Sequence, residues 1–452
     1  MKKTNTDMLN GSITGGLLSM TIPVMIMLVM QSLLNMVDMT VLRYFSDDSA
    51  VGSVGACGTL MVLCTNLLIG ISAGTNVVIA KRIGLGDKDR VNKVAETSIL
   101  FSVISGILLM IVGVLFAKTF LQMTNCPESL LSRAVVYFKM YFLGVPFLLI
   151  YSFCTAILRA MGDTKTQMYF SILGGLIKVV LSIIFITAFN VDVEGVGFST
   201  VFSNIIIAAL AMRSVLKSDA VHINLKKLRF YASELKEILF IGIPTGVQSS
   251  LYSLANVVIT TAVNGFGADA TTGIAIANQF DGMLYNIIYA PSLATIPYVS
   301  QNVGAGKIDR VKKAVIRSVL ITIAFGATFG ALSAIFSAQL SSIMSSTPAV
   351  IKYSQQKMII VSSTYFICGI NEIMGGVLRG MGKPILPTVS TLIFMCILRF
   401  AWVYLIFPLC PNLTFLYLVW PIGWILSIIT LLIAYFPAIS VLQKEKEMVL
   451  SI

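Results

Sequence analysis

Charge is what this sequence has least of. Of 452 residues only 12% are Asp, Glu, Lys or Arg, against 57% hydrophobic, and mean hydropathy is +0.90. A soluble domain carries about 25% charged residues, so this composition excludes an ordinary soluble protein and is that of a membrane protein. Histidine is nearly absent: the one in the chain is His222. There is no HExxH, no Ser–His pair and no carboxylate pair on one helix, which leaves hydrolytic and zinc chemistry without residues. The seven cysteines, Cys57, Cys64, Cys126, Cys154, Cys368, Cys396 and Cys410, are scattered with no CxxC or other metal spacing. They read as small helix-packing residues. Neither a cofactor nor a metal is expected, and the chain does not read as an enzyme.

What is there is apolar runs. A helix needs about 20 apolar residues to cross a hydrocarbon core of about 30 Å. Twelve such runs lie near 17–43, 51–80, 95–117, 134–158, 168–189, 195–216, 238–263, 271–299, 316–338, 353–377, 387–409 and 414–438. No alternating ten-residue strands of a transmembrane barrel are visible. The first run is too long for a cleaved signal and is expected to serve as the insertion signal.

The net charge of +12 is topological rather than a nucleic-acid footprint, since no basic soluble domain exists to carry one. With the N-terminus inside, the cytoplasmic segments hold 24 of the 32 Lys and Arg and the outer loops hold 5. Lys139, Lys178 and Arg399 lie within spans. This asymmetry puts both termini in the cytoplasm of a cell-membrane protein. The long connection 217–237, with Lys217, Lys226, Lys227, Arg229 and Lys236, reads as an amphipathic linker at the membrane surface.

That linker separates two similar halves. Residues 83–93, IGLGDKDRVNK, match 303–313, VGAGKIDRVKK, and 157–165, ILRAMGDTK, match 377–385, VLRGMGKPI, all at one offset. Two ungapped matches at a constant offset indicate duplication. The expected fold is all-α and polytopic: a six-helix lobe over 1–216, the linker, a second lobe over 238–440 and a tail over 441–452. Parallel repeats of this kind place a substrate site at their interface and work by alternating access. The matched glycines read as positive-φ turn residues, with the DRV charges staying in water. GAGK at 304–307 is not a phosphate loop, because Gln301 and Ile308 occupy the positions of its first Gly and its Ser or Thr.

These motifs, VDMTVLRYF after a TIPV helix start, GDKDRVNK, ILRAMGDTKTQ, IGIPTGVQSS, SQNVGAGKIDRVKK and VLRGMGK, resemble in order and spacing the bacterial MATE (multidrug and toxic compound extrusion) transporters, of the superfamily that also holds oligosaccharidyl-lipid and polysaccharide flippases. The resemblance covers nearly the whole chain. It implies export of organic compounds driven by a sodium or proton gradient.

Charged residues inside spans are functional candidates by default: Asp38, Lys139, Lys178, Asp281, Glu372 and Arg399. The run from Leu17 is free of charge until Asp38. At ~2.5–3.5 kcal/mol for a lipid-facing charge, Asp38 should face the protein interior. It is either a structural hydrogen-bonded Asp or a coupling group, and the resemblance favours the second, since the family's first-helix Asp matches it. Relatives of the DinF branch complete a cation site with an Asn and an Asp on the fifth helix and a Thr on the sixth. Here Lys178 and Ser182 take the first two positions and Thr200 the third. Two of four positions depart, and an ammonium beside Asp38 would repel Na⁺, which favours protons as the coupling ion. The family's seventh-helix Glu position is Tyr252. Substrate-cavity candidates are Asn35, Gln248, Tyr252, Gln279 with its neighbour Phe280, Asp281, Glu372 and Arg399. Arg399 is a candidate ion-pair partner for Asp281 or Glu372, and Lys139 is expected to reach polar surroundings.

The favoured reading is a monomeric secondary antiporter, with a small organic substrate, H⁺ or Na⁺, and the bilayer as partners. A lipid-linked oligosaccharide flippase is the alternative. Twelve spans rather than more count against the flippase, although Lys178 could serve an anionic headgroup; the buried acid and base within a duplicated transporter architecture count against an uncoupled channel.

Overall fold

Lipid offers a backbone no hydrogen-bond partner, so runs of this length close their own hydrogen bonds as helices. The computed structural model describes residues 6–45, 48–124, 126–189, 191, 193–223 and 228–450, except the side chains of 35, 36, 38–45, 48–51, 59, 254, 446 and 448–450. Among these residues there are helices and no strand. In order they are α1 (Ile13–Phe45), α2 (Asp48–Leu85), α3 (Lys88–Leu115), α4 (Ala117–Met123), α5 (Glu128–Ala160), α6 (Thr164–Phe189) and α7 (Val193–Leu216). Then follow α8 (Ala232–Asn264), α9 (Ala268–Gly304), α10 (Ile308–Ile335), α11 (Ser337–Met344), α12 (Pro348–Ser362) and α13 (Tyr365–Gly380). The last are α14 (Ile385–Thr391), α15 (Leu398–Ala401), α16 (Leu413–Tyr417) and α17 (Val419–Leu450).

Among the described residues ten spans are long and apolar enough to cross a membrane, and α12 with α13, bent by 48°, make an eleventh if the pair is taken as one span. Counting α9, which is 37 residues long but more polar, each of the twelve apolar runs corresponds to a helix or a broken helix. At the bend the Thr364 hydroxyl donates to the carbonyls of Ile360 (3.2 Å) and Val361 (2.9 Å), satisfying backbone groups that the break leaves open.

The chain divides into two compact units. One is Val29–Gly246 and the other Thr6–Leu28 with Val247–Ile452. In the first, α5 is the central helix, and Phe138, Phe142 and Leu149 are fully buried against its neighbours. Glycines set the closest approaches. A Cβ on Gly70 would stand 2.3 Å from the Gly246 Cα, and one on Gly113 would stand 2.0 Å from the Phe142 ring. Arg82 of α2 joins Glu234 (3.4 Å) and Glu237 (2.5 Å) of α8. In the second unit, Val299, Val311, Ile373, Val377 and Leu378 form a core between α9, α10 and α13.

The duplication is visible bond for bond. α3 and α10 both end at a phenylalanine, Phe116 and Phe336, 220 positions apart, and each leads into a short helix. Thr75 bonds Ser98 at 2.9 Å, and Thr295 bonds Ser318 at 2.8 Å. Gly86 (φ 73°) and Gly306 (φ 65°) close one pair of matched turns, Gly162 (φ 84°) and Gly382 (φ 77°) the other. The DRV charges do not all stay in water. Arg90 is exposed beside Asp87, whereas Arg310 turns inward. Its Nη2 donates to the carbonyls of Met8 (3.2 Å) and Gly11 (2.8 Å) and to the Tyr298 hydroxyl (2.9 Å). Residues 6–12 supply carbonyls that only the second copy of the motif meets.

Candidate functional site

Glu372 stands on α13 seven residues before Arg379 and on the same face. It is 3% exposed. The Tyr252 hydroxyl of α8 donates to its Oε1 at 3.1 Å, and Tyr285 of α9 approaches the same carboxylate. Asn371 extends the network: its Nδ2 donates to the Tyr252 hydroxyl at 3.5 Å, and its Oδ1 accepts from Ser427 at 2.6 Å. Ser427 in turn bonds Ser390 at 2.7 Å. Gln248, one turn before Tyr252, donates to Thr391 at 3.0 Å and accepts from Arg379 Nη1 at 2.8 Å. Glu372 forms no ion pair among the described residues. Three sequence candidates, Gln248, Tyr252 and Glu372, therefore meet in one polar cluster inside the second unit.

Asp281 and Arg399 occupy a second cluster, and the ion pair expected of Arg399 is replaced. Lys357 Nζ takes Asp281 Oδ2 at 2.8 Å and also donates to Asn278. Arg399 instead donates to Asn256 Oδ1 at 2.7 Å. Both cations lie over the Trp420 ring, Lys357 at 5.4 Å and Arg399 at 5.2 Å. The local backbone explains the change. Arg399 stands on the single α turn Leu398–Ala401, between wide π turns at Leu392–Ile397 and Trp402–Ile406 that redirect it toward Asn256 and Trp420. Gln279 is exposed on α9 and joins neither cluster, and Phe280 is half-buried.

In the first unit, Ser182 of α6 is buried, and its hydroxyl has no partner among the described residues. Lys178, one turn before it, is half-buried. Thr200 of α7 is buried and spends its hydroxyl on the Val196 carbonyl at 2.9 Å. Lys139 is exposed. The side chains of Asn35 and Asp38 lie outside the described residues, although position 38 is within α1.

Two functional-site residues escaped the sequence reading. Neither Lys357 nor Arg379 is among the sequence candidates, yet they are 3% and 4% exposed. Lys357 falls inside the run 353–377, so its depth within an apolar stretch was the available signal. Arg379 ends a helix, where a basic residue is ordinary, and the sequence offers no mark of its burial.

A family model described as MatE matches residues 23–184 and 244–405, one copy in each half of the chain. The chain is 24% identical over 379 residues to the probable multidrug resistance protein YoeA of Bacillus subtilis (strain 168), covering 82% of each. It is 25% identical over 381 residues to the probable multidrug resistance protein NorM of Thermotoga maritima, covering 83% of this chain and 82% of that protein. The outward-facing conformation of a multidrug resistance MATE family transporter superimposes with a TM-score of 0.90 at 19% identity, over 98% of this chain and 100% of that one.

Proposed function

The chain belongs to the MATE family of membrane transporters, and from that premise we propose that it exports small organic compounds across the cell membrane in exchange for protons. Glu372 carries the proton part. It is a carboxylate inside a span, met by the Tyr252 hydroxyl and held by no salt bridge among the described residues. Such a group can take or give a proton by exchanging hydrogen bonds, without an ion pair having to part. Asp281 is the contrast: Lys357 compensates its charge.

Asp38 with Lys178, Ser182 and Thr200 forms the second half of the reading. An ammonium and a hydroxyl stand where the resembling cation site has an amide and a carboxylate, which removes oxygen ligands for Na⁺ and adds a repelling charge. The buried Ser182 hydroxyl, without a partner among the described residues, supports a polar role at this point of α6. A proton arriving at either acid biases one conformation over another, which is the requirement for alternating access. The orientation follows the loop charges, with both termini in the cytoplasm.

The test is uptake of a panel of fluorescent organic compounds into inverted vesicles, with pH and sodium gradients imposed separately. An acid-interior gradient should drive uptake at constant sodium. Uptake that follows sodium and ignores pH would overturn the proton reading, and no uptake under either gradient would overturn export.

A further inference from the structure

Arg379 is a buried cation whose Nε–Nη2 edge meets no acceptor among the described residues. It is 4% exposed and makes no ion pair among the described residues. Nη1 donates to Gln248 Oε1 at 2.8 Å, while the buried Nε and Nη2 have no acceptor among the described residues. Those two atoms form the side edge of the guanidinium, whose parallel N–H groups match the two oxygens of a carboxylate. The Glu372 carboxylate acts on this charge without touching it; a buried cation with no direct ion pair costs several kcal/mol, and unmet donors add to that cost. Gly375 lies one turn away, and a Cβ there would make ordinary contact with Nη1 (3.9 Å) and Nη2 (4.0 Å).

The chain's own acid on this face feels the Arg379 charge but makes no direct bond to it among the described residues. Glu372 is two helical turns away, a rise of about 10 Å, and its Oε1 takes the Tyr252 hydroxyl. We propose that the Nε–Nη2 edge of Arg379 is a subsite for a carboxylate group on the exported compound. This rests on the export reading and narrows its substrate class to organic acids and zwitterions. Arg379 ends α13 beside the Gly382 turn, at the end of the span where, in the orientation proposed, an exported compound enters. The neutral amide of Gln248 holds Nη1 without cancelling the charge, so the guanidinium remains a full cation for an incoming anion. In the first unit the matched arginine, Arg159, is half-buried.

A matched pair of dyes tests this: rhodamine 19, a free carboxylic acid, and rhodamine 6G, its ethyl ester. Binding to the purified full-length protein is read by fluorescence polarisation. Wild type should bind the acid at least about tenfold more tightly than the ester. Arg379→Gln should remove that preference by weakening the acid alone, and Arg379→Lys, which keeps the charge and loses the fork, should fall between. A measurement without any variant guards against misfolding: benzoate should displace the acid from wild type and leave the ester bound. Equal binding of acid and ester by wild type overturns the subsite. So does a proportional loss of both dyes in Arg379→Gln, which is what a purely structural arginine, or one reserved for Glu372, would give. Vesicle export separates this from the broader reading. Continued export of the ester without acid preference sinks the subsite alone, whereas failure to move either dye under any gradient sinks export and the subsite with it.

Discussion

Lys357 Nζ lies 2.8 Å from Asp281 Oδ2, joining α12 to α9 where both side chains are nearly closed to solvent. The pair is balanced in charge but not in hydrogen bonds, because Asp281 Oδ1 has no partner among the described residues. Removing one member leaves an uncompensated buried charge, which costs about 3–5 kcal/mol. Lys357→Met should therefore lower the apparent melting temperature strongly. Adding Asp281→Leu should recover most of the loss. A double variant as unstable as Lys357→Met would show that the pair does not act as a unit.

Two kinds of glycine should respond differently to alanine. Gly86 and Gly306 have positive φ and open space around the missing Cβ. Alanine there should cost about 1–2 kcal/mol, through backbone strain alone. A Cβ on Gly246 would meet the Leu67 carbonyl oxygen at 2.5 Å and its Cα at 3.0 Å. Gly246→Ala should destabilise more than either turn variant, since α2 and α8 must separate. Thermal melts in detergent, side by side, give the order, and a reversed order would contradict the packing.

The segment before α1 has its own pH behaviour. The Asp7 carboxylate accepts the backbone N–H of Asn10 at 2.9 Å and of Leu9 at 3.0 Å, and Arg310 is close by. The Asn10 N–H is the largest cause holding the carboxyl below its usual range; partial burial opposes it, and the Leu9 and Gly11 N–H groups and Arg310 assist. A depressed carboxyl contributes its stability above the ordinary pKa and loses it as pH falls through the lowered one. Protection of the Leu9 and Asn10 amides from hydrogen exchange should thus persist through neutral and mildly acidic pH. Asp7→Ala should abolish it at neutral pH. Protection already lost in mild acid would contradict the assignment.

The helices were legible because lipid permits little else for runs of this length, and the repeat because its turns need glycine at matched positions. Gln248, Tyr252 and Glu372 were legible as polar residues in apolar runs. The partners were not. Asp281 drew Lys357 from a helix bent by 48°, and Arg399 was turned to Asn256 by π turns that no local sequence signal marks. Arg310 and Arg90 carry the same motif, yet residues 6–12 give only Arg310 carbonyls to bind. Side-chain partnership depends on which helices meet, and periodicity along one helix does not report that.

Proton exchange at Glu372 and Asp38 is the central claim, and its most direct measurement is proton release on substrate binding. An exported dye is added to purified wild type in weakly buffered detergent solution near neutral pH, with a pH indicator in the bulk. Protons should appear in solution as the dye binds. Glu372→Gln and Asp38→Asn should each release fewer, and added sodium alone should release none. Dye binding to wild type with no proton release at any pH near neutrality, or sodium releasing protons as the dye does, would contradict the account.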